Sequence, residues 1–244
     1  MLRLLLAAVL VAPLAIPAQA QRTPQNLQVL PRDWSRGQVI SLMRQFSFGT
    51  GLRCEGCHYD PVGEGNFQDI DFASDENPLK EKARFMIRMT RNLNDAILPM
   101  VPNRDDPPVV ITCKTCHRGV AKPRTLMQEL LLTAHESGGD SAATQYRDLR
   151  ESSGMAGVYD FREWETNEVA SQLAEAGKVD DAIVIYELNA EFHPESSSIQ
   201  LALGQLYEGK GDVEAAIAAY ERAIELGAPA NRVQPRIDDL RGDN

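Results

Sequence analysis

The residues with the most distinctive chemistry are four cysteines that occur as two pairs, each followed directly by a histidine. Cys54 and Cys57 precede His58, and Cys113 and Cys116 precede His117. Cys-x-x-Cys-His is the attachment pattern of c-type haem, in which both thiols bond the macrocycle and the histidine supplies an axial nitrogen to the iron. Both pairs keep this order and no cysteine is left over, so the sequence predicts two covalently bound haem c groups.

Zinc sites and redox-active dithiols are the alternative uses of a Cys-x-x-Cys pair. However, 55 residues separate Cys57 from Cys113, which is more than compact zinc modules use. A four-cysteine zinc site would also leave both adjacent histidines without a role. Haem attachment is therefore the favoured interpretation, and it leaves no cysteine for a disulfide.

A haem iron with one histidine takes a sixth ligand or keeps an open site. The remaining histidines, His135 at a predicted helix end and His193 in a predicted turn, are less suitable than methionine. Met43 precedes the first motif and is the only methionine in its segment. Met86 and Met89 precede the second motif, and their spacing does not distinguish between them.

Each motif is preceded by a stretch with the periodicity of an amphipathic helix. In the first stretch Ser35 is a plausible N-cap, and one face carries Val39, Met43 and Phe46. In the second stretch Asp75 or Asn77 is the candidate cap and Pro78 suits the first turn; the apolar stripe consists of Leu79, Ala83, Met86 and Met89. We therefore expect methionine on the buried face of each helix.

These segments resemble the cytochrome subunit of photosynthetic reaction centres, and more closely a two-haem form of that domain. The resemblance covers about residues 26–120 and rests on several motifs in order: 27–31, Met43, 51–58, 71–75, 83–90 and 111–119. It implies that each haem rests against a helix whose methionine is the sixth ligand. It also implies that the first methionine of a Met-x-x-Met pair is used, which selects Met86, with Met89 as the alternative.

Two features depart from that family. The chain has two haem motifs where the reaction-centre subunit has four, and a proline-rich segment, Pro99 to Pro108, replaces a shorter link. Membership of a photosynthetic complex is therefore not implied, whereas electron transfer through two His/Met haems is.

An internal repeat occupies the C-terminal part of the chain. The stretch that begins at Gly177 aligns with the stretch that begins at Gly211, a spacing of 34 residues, which is the tetratricopeptide period. The small and large packing positions are Ala170, Leu173, Ala182 and Tyr186 in one repeat and Gly204, Tyr207, Ala216 and Tyr220 in the next. Helical segments at 125–135 and 142–151 either form a degenerate third pair or pack the repeats against the haem domain.

The N-terminus has the pattern of a secretory signal, with Arg3, an apolar stretch and a small-residue cleavage site that ends at Ala20. We expect cleavage near Ala20, export to the periplasm, and no membrane span in the mature chain. The net charge of −10 disfavours nucleic-acid binding and suits partners with basic patches.

The expected fold class is all-α, with a multihaem cytochrome c domain that has long loops and a C-terminal domain of tetratricopeptide-type repeats. The expected boundaries are 1–20 for the signal peptide, 21–124 for the two-haem domain, 125–159 for a helical connector, 160–230 for the repeats and 231–244 for a tail.

The leading functional hypothesis is a periplasmic two-haem electron carrier, not an enzyme, that exchanges electrons with redox partner proteins. On this hypothesis Arg84 and Arg88 either neutralise haem propionates or are ordinary solvated charges. One alternative is a haem-dependent peroxidase-like enzyme, which needs an open iron site. Another is a docking or assembly protein in which the repeats bind a partner peptide and carry the main function.

Overall fold

The computed structural model describes residues 24–154 and 156–242. The predicted signal peptide and its cleavage site near Ala20 lie outside the described residues. Within the described ranges the secondary structure is helical with one isolated β-bridge, Tyr59 to Asp71, so the expected all-α class is confirmed. The α-helices are α1 Arg36–Thr50, α2 Pro78–Asn92, α3 Cys113–His117, α4 Leu126–Ser137, α5 Gly139–Ser153, α6 Glu163–Glu175, α7 Val179–Phe192, α8 Ser197–Lys210, α9 Val213–Glu225 and α10 Ala230–Arg241.

Contacts along the chain divide it into two compact units, with the division after Thr115. The division falls inside α3, so Cys113 belongs to the first unit and Cys116 to the second. Each unit is described by itself below.

Helix α1 begins where the sequence predicts. The hydroxyl of Ser35 accepts from the backbone N–H of Gln38, and the Gln38 side chain accepts from the N–H of Ser35, which together form a capping box. The helix ends at Gly51, whose φ of 72° is left-handed, a conformation that favours glycine.

Helix α2 is capped by Asn77, whose side chain accepts from the N–H of Leu79, and Pro78 occupies its first turn. Of the two predicted caps, Asn77 is the one used. The helix continues into a π-helical turn, Leu93–Ile97, and a 3-10 turn, Leu98–Met100. Such π-turns are often found near functional sites, and this one precedes the second cysteine motif.

The second unit is built from helices that pack in consecutive pairs, α4 with α5, α6 with α7 and α8 with α9, and α10 packs on α9. Buried residues of the first two pairs belong to one hydrophobic cluster, which also includes Ile199 and Leu203 of α8. The segments at 126–153 therefore form a third helical pair in the repeat array. The carboxylate of Glu165 in α6 accepts a hydrogen bond from the N–H of Met127 in α4 at 3.2 Å, which links this pair to the next one.

The small residues predicted at the repeat positions are those that permit close helix packing. Ala170, Ala182 and Ala216 are fully buried. A Cβ atom on Gly204 would lie 2.6 Å from the ring of Tyr220, which is shorter than any van der Waals contact. The Tyr220 hydroxyl in turn donates to Glu208 at 2.8 Å, and burial and this carboxylate raise the pKa of Tyr220 to about 12.

Candidate functional site

The first cysteine motif folds as one tight turn. Residues 54–56 form a 3-10 helix, and the carbonyl of Cys54 accepts from the N–H of Cys57 at 3.2 Å and from that of His58 at 2.9 Å. This turn folds the backbone of the five-residue motif compactly, and none of the two cysteines and the histidine has a strained φ. Local hydrogen bonding thus provides the compact spacing that haem attachment requires.

The ring of His58 is partly buried. It packs edge-on against Phe72 with 5.0 Å between the ring centroids, and its Nδ1 atom is buried without a hydrogen-bond partner. Burial lowers the pKa of His58, and the positive charges of Lys80 and Arg84 lower it further, while the nearby Phe72 carbonyl acts in the opposite direction. A neutral imidazole is the form that binds a metal ion.

Asn77 joins this motif to the start of α2. Besides capping the helix, its side-chain Nδ2 donates to the carbonyls of Glu55 and His58, both at 3.2 Å. One side chain therefore sets the position of α2 relative to the histidine. The sequence identifies Asn77 as a cap but contains no signal for this second role.

The side of α2 that packs on the protein is cationic. Lys80 and Arg84 are buried together with Ile87. Asp75 pairs with Lys80 at 3.0 Å and with Arg84 at 2.7 Å, and these bonds, with one from Asn26, hold the pKa of Asp75 far below its usual range. Arg84 is therefore a buried residue paired with carboxylates, and the interpretation of Arg84 as a solvated charge is wrong.

The second motif forms a short helix, α3. The hydroxyl of Thr115 accepts from the N–H of Thr112 at 3.0 Å, just before the helix starts. Beyond the helix, Nδ1 of His117 lies 3.0 Å from the carbonyl of Val120. Because a carbonyl only accepts, Nδ1 must carry the proton, and Nε2 is left as the nitrogen available to a metal ion.

Asn94 holds the backbone that leads into this motif. Its Oδ1 accepts from the N–H of Ile111, and its Nδ2 donates to the carbonyl of Ile111, both at 2.8 Å. The same amide donates to the carbonyl of Thr90 in α2 at 3.0 Å. Nothing in the sequence pattern pointed to Asn94, since its partner is 17 residues away.

Gly49 allows α1 to approach the second motif closely. A Cβ atom at this position would lie 3.0 Å from Cβ of Cys113 and 3.1 Å from the backbone nitrogen of Lys114. The sequence did not identify Gly49 as part of the site, because no sequence motif distinguishes a helical glycine that makes a close contact from one that does not.

The predicted methionine ligands lie on the two long helices of the first unit. Met43 is half-buried in α1. Met86 and Met89 are 40% and 39% exposed, and Leu79 of the same stripe is 38% exposed. The expectation that the methionine face of α2 is buried against the protein is therefore wrong, because the polypeptide buries the opposite stripe, Lys80, Arg84 and Ile87.

The other two histidines lie where the sequence places them. His135 is exposed near the end of α4, and His193 ends α7 in a turn. Both belong to the second unit.

Large apolar side chains in the first unit are mostly uncovered. Its buried hydrophobic residues are Leu30, Ile70 and Ile87, whereas thirteen of the sixteen exposed large hydrophobic residues in the described chain belong to it. They are Phe48, Val62, Phe67, Phe72, Leu79, Phe85, Met86, Met89, Ile97, Met100, Val101, Val109 and Val110. Exposed apolar surface on this scale marks a binding surface, and a large planar apolar group attached at the two motifs fits it.

The cysteines are consistent with such attachment. No disulfide joins them, and all four lie in the described part of the chain. Among the described residues no three His, Cys, Asp or Glu side chains gather where they could hold a bare metal ion. Two Cys-x-x-Cys-His turns beside uncovered apolar helices, followed by a helical repeat array, define a c-type cytochrome with an appended repeat domain.

Comparison with known proteins identifies the family. The family model for the photosynthetic reaction centre cytochrome C subunit matches residues 11–159, and a tetratricopeptide repeat model matches residues 197–226. The first match covers more than half of the chain, so the chain belongs to the reaction centre cytochrome C subunit family. It is a c-type cytochrome, a class that binds haem c, with tetratricopeptide repeats at its C-terminal end.

A similar individual protein is cytochrome c-554 of Chloroflexus aurantiacus. It is 36% identical over 93 residues, which make up 38% of this chain and 20% of the relative. The chain thus spans about a fifth of the length of the curated relative that it matches. In the described residues, no helix combines the length and apolar character needed to cross a membrane.

Proposed function

We propose that the chain is a periplasmic electron carrier with two haem c groups. The first is bonded to Cys54 and Cys57, and the second to Cys113 and Cys116. The observation that carries this proposal is the first unit itself, which buries few apolar side chains and leaves thirteen large ones exposed. This unit contains the first attachment motif and the first cysteine of the second. Haem supplies one-electron chemistry at its iron.

In this proposal the chain provides the axial ligands. His58 and Met43 serve the first iron, and His117 and Met86 serve the second, with Met89 as the alternative to Met86. The support for His117 is its Nδ1 bond to Val120, which leaves Nε2 available. The support for Met86 and Met89 is their partial exposure on the face of α2 that the polypeptide does not cover.

Ligation by histidine and methionine suits a carrier better than an enzyme. Two protein ligands leave no open coordination site for a substrate such as peroxide, and methionine as the sixth ligand raises the reduction potential. The described residues around His58 also provide little acid–base chemistry, since Lys80 and Arg84 are engaged by carbonyls and carboxylates. The peroxidase-like alternative therefore has the weaker support.

Haem content tests the proposal directly. The purified exported protein should show a mass increase of two haems and a pyridine haemochrome spectrum of two haem c groups per chain. The oxidised protein should show the methionine-to-iron charge-transfer band at the red end of the visible spectrum. A different haem number, or a high-spin iron that reacts with hydrogen peroxide, would overturn it.

We propose further that the repeats dock the carrier to a redox partner, because tetratricopeptide arrays bind protein segments. Cross-linking of the full chain to its partner, followed by mass spectrometry, tests this role. Cross-links in residues 160–230 would support docking. Cross-links confined to residues 24–115 would mean that the repeats are a stabilising appendage.

A further inference from the structure

The two axial histidines differ in what their Nδ1 atoms contact. Nδ1 of His117 donates to the carbonyl of Val120 at 3.0 Å. Nδ1 of His58 is buried and has no hydrogen-bond partner among the described residues. A hydrogen bond from the second ring nitrogen to a carbonyl makes a histidine ligand more basic. His117 is therefore the stronger electron donor to a bound iron.

A buried ammonium group contacts the residue whose ring packs on His58. Lys80 is 8% exposed, and its Nζ donates to the carbonyls of Phe72, Ala73 and Ser74 at 3.1, 3.0 and 2.6 Å. The ring of Phe72 is the one that packs on His58. Since Lys80 engages the Phe72 carbonyl, that oxygen is a weakened acceptor for the histidine.

The charges around Lys80 are arranged unevenly. The side chains of Lys80 and Arg84 are 10% and 7% exposed, whereas those of their partners Asp75 and Glu81 are 46% and 60% exposed. Water screens the carboxylates more than the cations, so the net field on the histidine side is positive.

Both differences act in the same direction on a bound iron. A nearby positive charge disfavours the ferric state, which carries one more positive charge than the ferrous state. A less basic histidine also donates less electron density to ferric iron. We infer that the haem on Cys54–His58 has the higher reduction potential of the two, and that Lys80 is the positioning residue that raises it through the Phe72 segment. This inference rests on the proposed two-haem function.

The consequence is a direction for electron flow within the chain. One electron shared between the two sites resides at the His58 site, with ferrous iron there and ferric iron at the His117 site. No proton moves in this exchange. The His117 site is then the donor side of the pair, and the His58 site is where the electron is held.

A potentiometric titration followed by visible spectroscopy tests the inference on the full-length protein with both haems attached. The wild type should titrate in two one-electron steps. Lys80→Met should lower the higher of the two potentials and leave the lower one unchanged. We expect the electron-sharing equilibrium between the sites to fall about tenfold, which is about 59 mV for a one-electron couple.

Two variants control for structural damage. Lys82→Met removes an exposed lysine from the same helix and should move neither potential. Lys80→Arg keeps the charge and should retain most of the difference between the two steps. If Lys80→Met moves the lower potential, or moves neither, the inference is overturned.

A variant with the opposite expected sign covers the case in which Lys80→Met does not fold. Asp75→Asn removes the carboxylate that offsets Lys80 and Arg84, so it should raise the higher potential. A fall, or no change, would contradict the inference. A haem count other than two would instead contradict the proposed function, and the two failures are thus distinguished by the pyridine haemochrome assay on the same samples.

Discussion

The side-chain amide of Asn94, just past the end of α2, forms two hydrogen bonds with the backbone of Ile111, two residues before Cys113. Asn77, at the other end of α2, bonds the carbonyls of Glu55 and His58 around the first motif. Helix α2 is thus connected at each end to one haem-attachment motif through an asparagine amide. Residues at the two ends of one helix thus hold the backbone of the first motif and of the segment that leads into the second.

The hydrogen bonds of Asn94 to Ile111 and Thr90 predict that substitution of Asn94 destabilises the first unit. Asn94→Ala removes three partly buried hydrogen bonds and leaves the backbone groups of Ile111 without these partners. We expect the free energy of unfolding to fall by about 1–3 kcal/mol, measured by urea denaturation followed at the haem absorbance. Asn92→Ala, at an exposed position at the end of α2, is the control and should change it little. Equal effects of the two substitutions would contradict a stabilising role of the Asn94 hydrogen bonds.

Close packing of α1 on the second motif predicts sensitivity at Gly49. Gly49→Ala would bring a methyl group within 3.0 Å of Cβ of Cys113 and 3.1 Å of the Lys114 backbone. Because backbone atoms do not move aside easily, we expect a loss of about 1–3 kcal/mol and a lower yield of haem at Cys113. Gly37→Ala in the same helix, where the nearest atom is 4.0 Å away, should retain both stability and haem content. Normal haem attachment in Gly49→Ala would show that the helix can shift.

The repeat domain offers a similar pair of substitutions within α8. Gly204→Ala would place Cβ 2.6 Å from the Tyr220 ring, whereas a Cβ on Gly209 meets nothing within 4 Å. We expect Gly204→Ala to destabilise the repeats by about 1–3 kcal/mol. Gly209→Ala should be neutral or slightly stabilising, because alanine is the better helix former. Thermal unfolding followed by circular dichroism measures both, and the opposite order would refute the packing.

Two single substitutions test which methionine is the sixth ligand of the proposed second haem. The resemblance to the family favours Met86 over Met89, so Met86→Leu should remove one of the two methionine-to-iron charge-transfer bands while Met89→Leu retains both. Both methionines are similarly exposed, 40% and 39%, so the two changes are well matched. Near-infrared absorption or magnetic circular dichroism of the oxidised protein gives the result. Loss of the band in Met89→Leu alone would reverse the assignment.

Acid should weaken the first unit through Asp75. Hydrogen bonds from Arg84, Asn26 and Lys80 hold the pKa of Asp75 well below its ordinary value. A depressed carboxylate pKa stabilises the fold above the unfolded-state pKa, and this contribution is lost as the pH falls below about 4. The urea midpoint of the wild type should therefore exceed that of Asp75→Asn at about pH 6, and the gap should close as the solution is acidified.

Asp69→Asn is the matched control for this titration. Asp69 is exposed in the same loop, and its substitution should leave the pH dependence of the midpoint unchanged. A gap between wild type and Asp75→Asn that is independent of pH would show that the carboxylate acts by hydrogen bonding alone.

Several features could be predicted from the sequence because they depend on neighbouring residues. The Ser35 cap, the start of α2 at Pro78 and the 34-residue repeat follow from local hydrogen bonding and helical periodicity. Each Cys-x-x-Cys-His motif can likewise be recognised from the sequence, because the residues predicted to bond the haem lie within five positions of the chain. The family relationship agrees with what these motifs imply.

Other features depend on residues that are distant in the chain, and only the tertiary structure decided them. The apolar periodicity of α2 predicted burial of the methionine face, yet the helix turns Lys80 and Arg84 inward because Asp75 and the carbonyls of residues 72–74 satisfy their charges there. The links from Asn94 to Ile111 and from Gly49 to Cys113 likewise join separate segments. The sequence by itself predicted where haem is attached, since the attachment motif consists of neighbouring residues. The tertiary structure decided which charges surround each histidine, because those charges come from segments that meet only after folding.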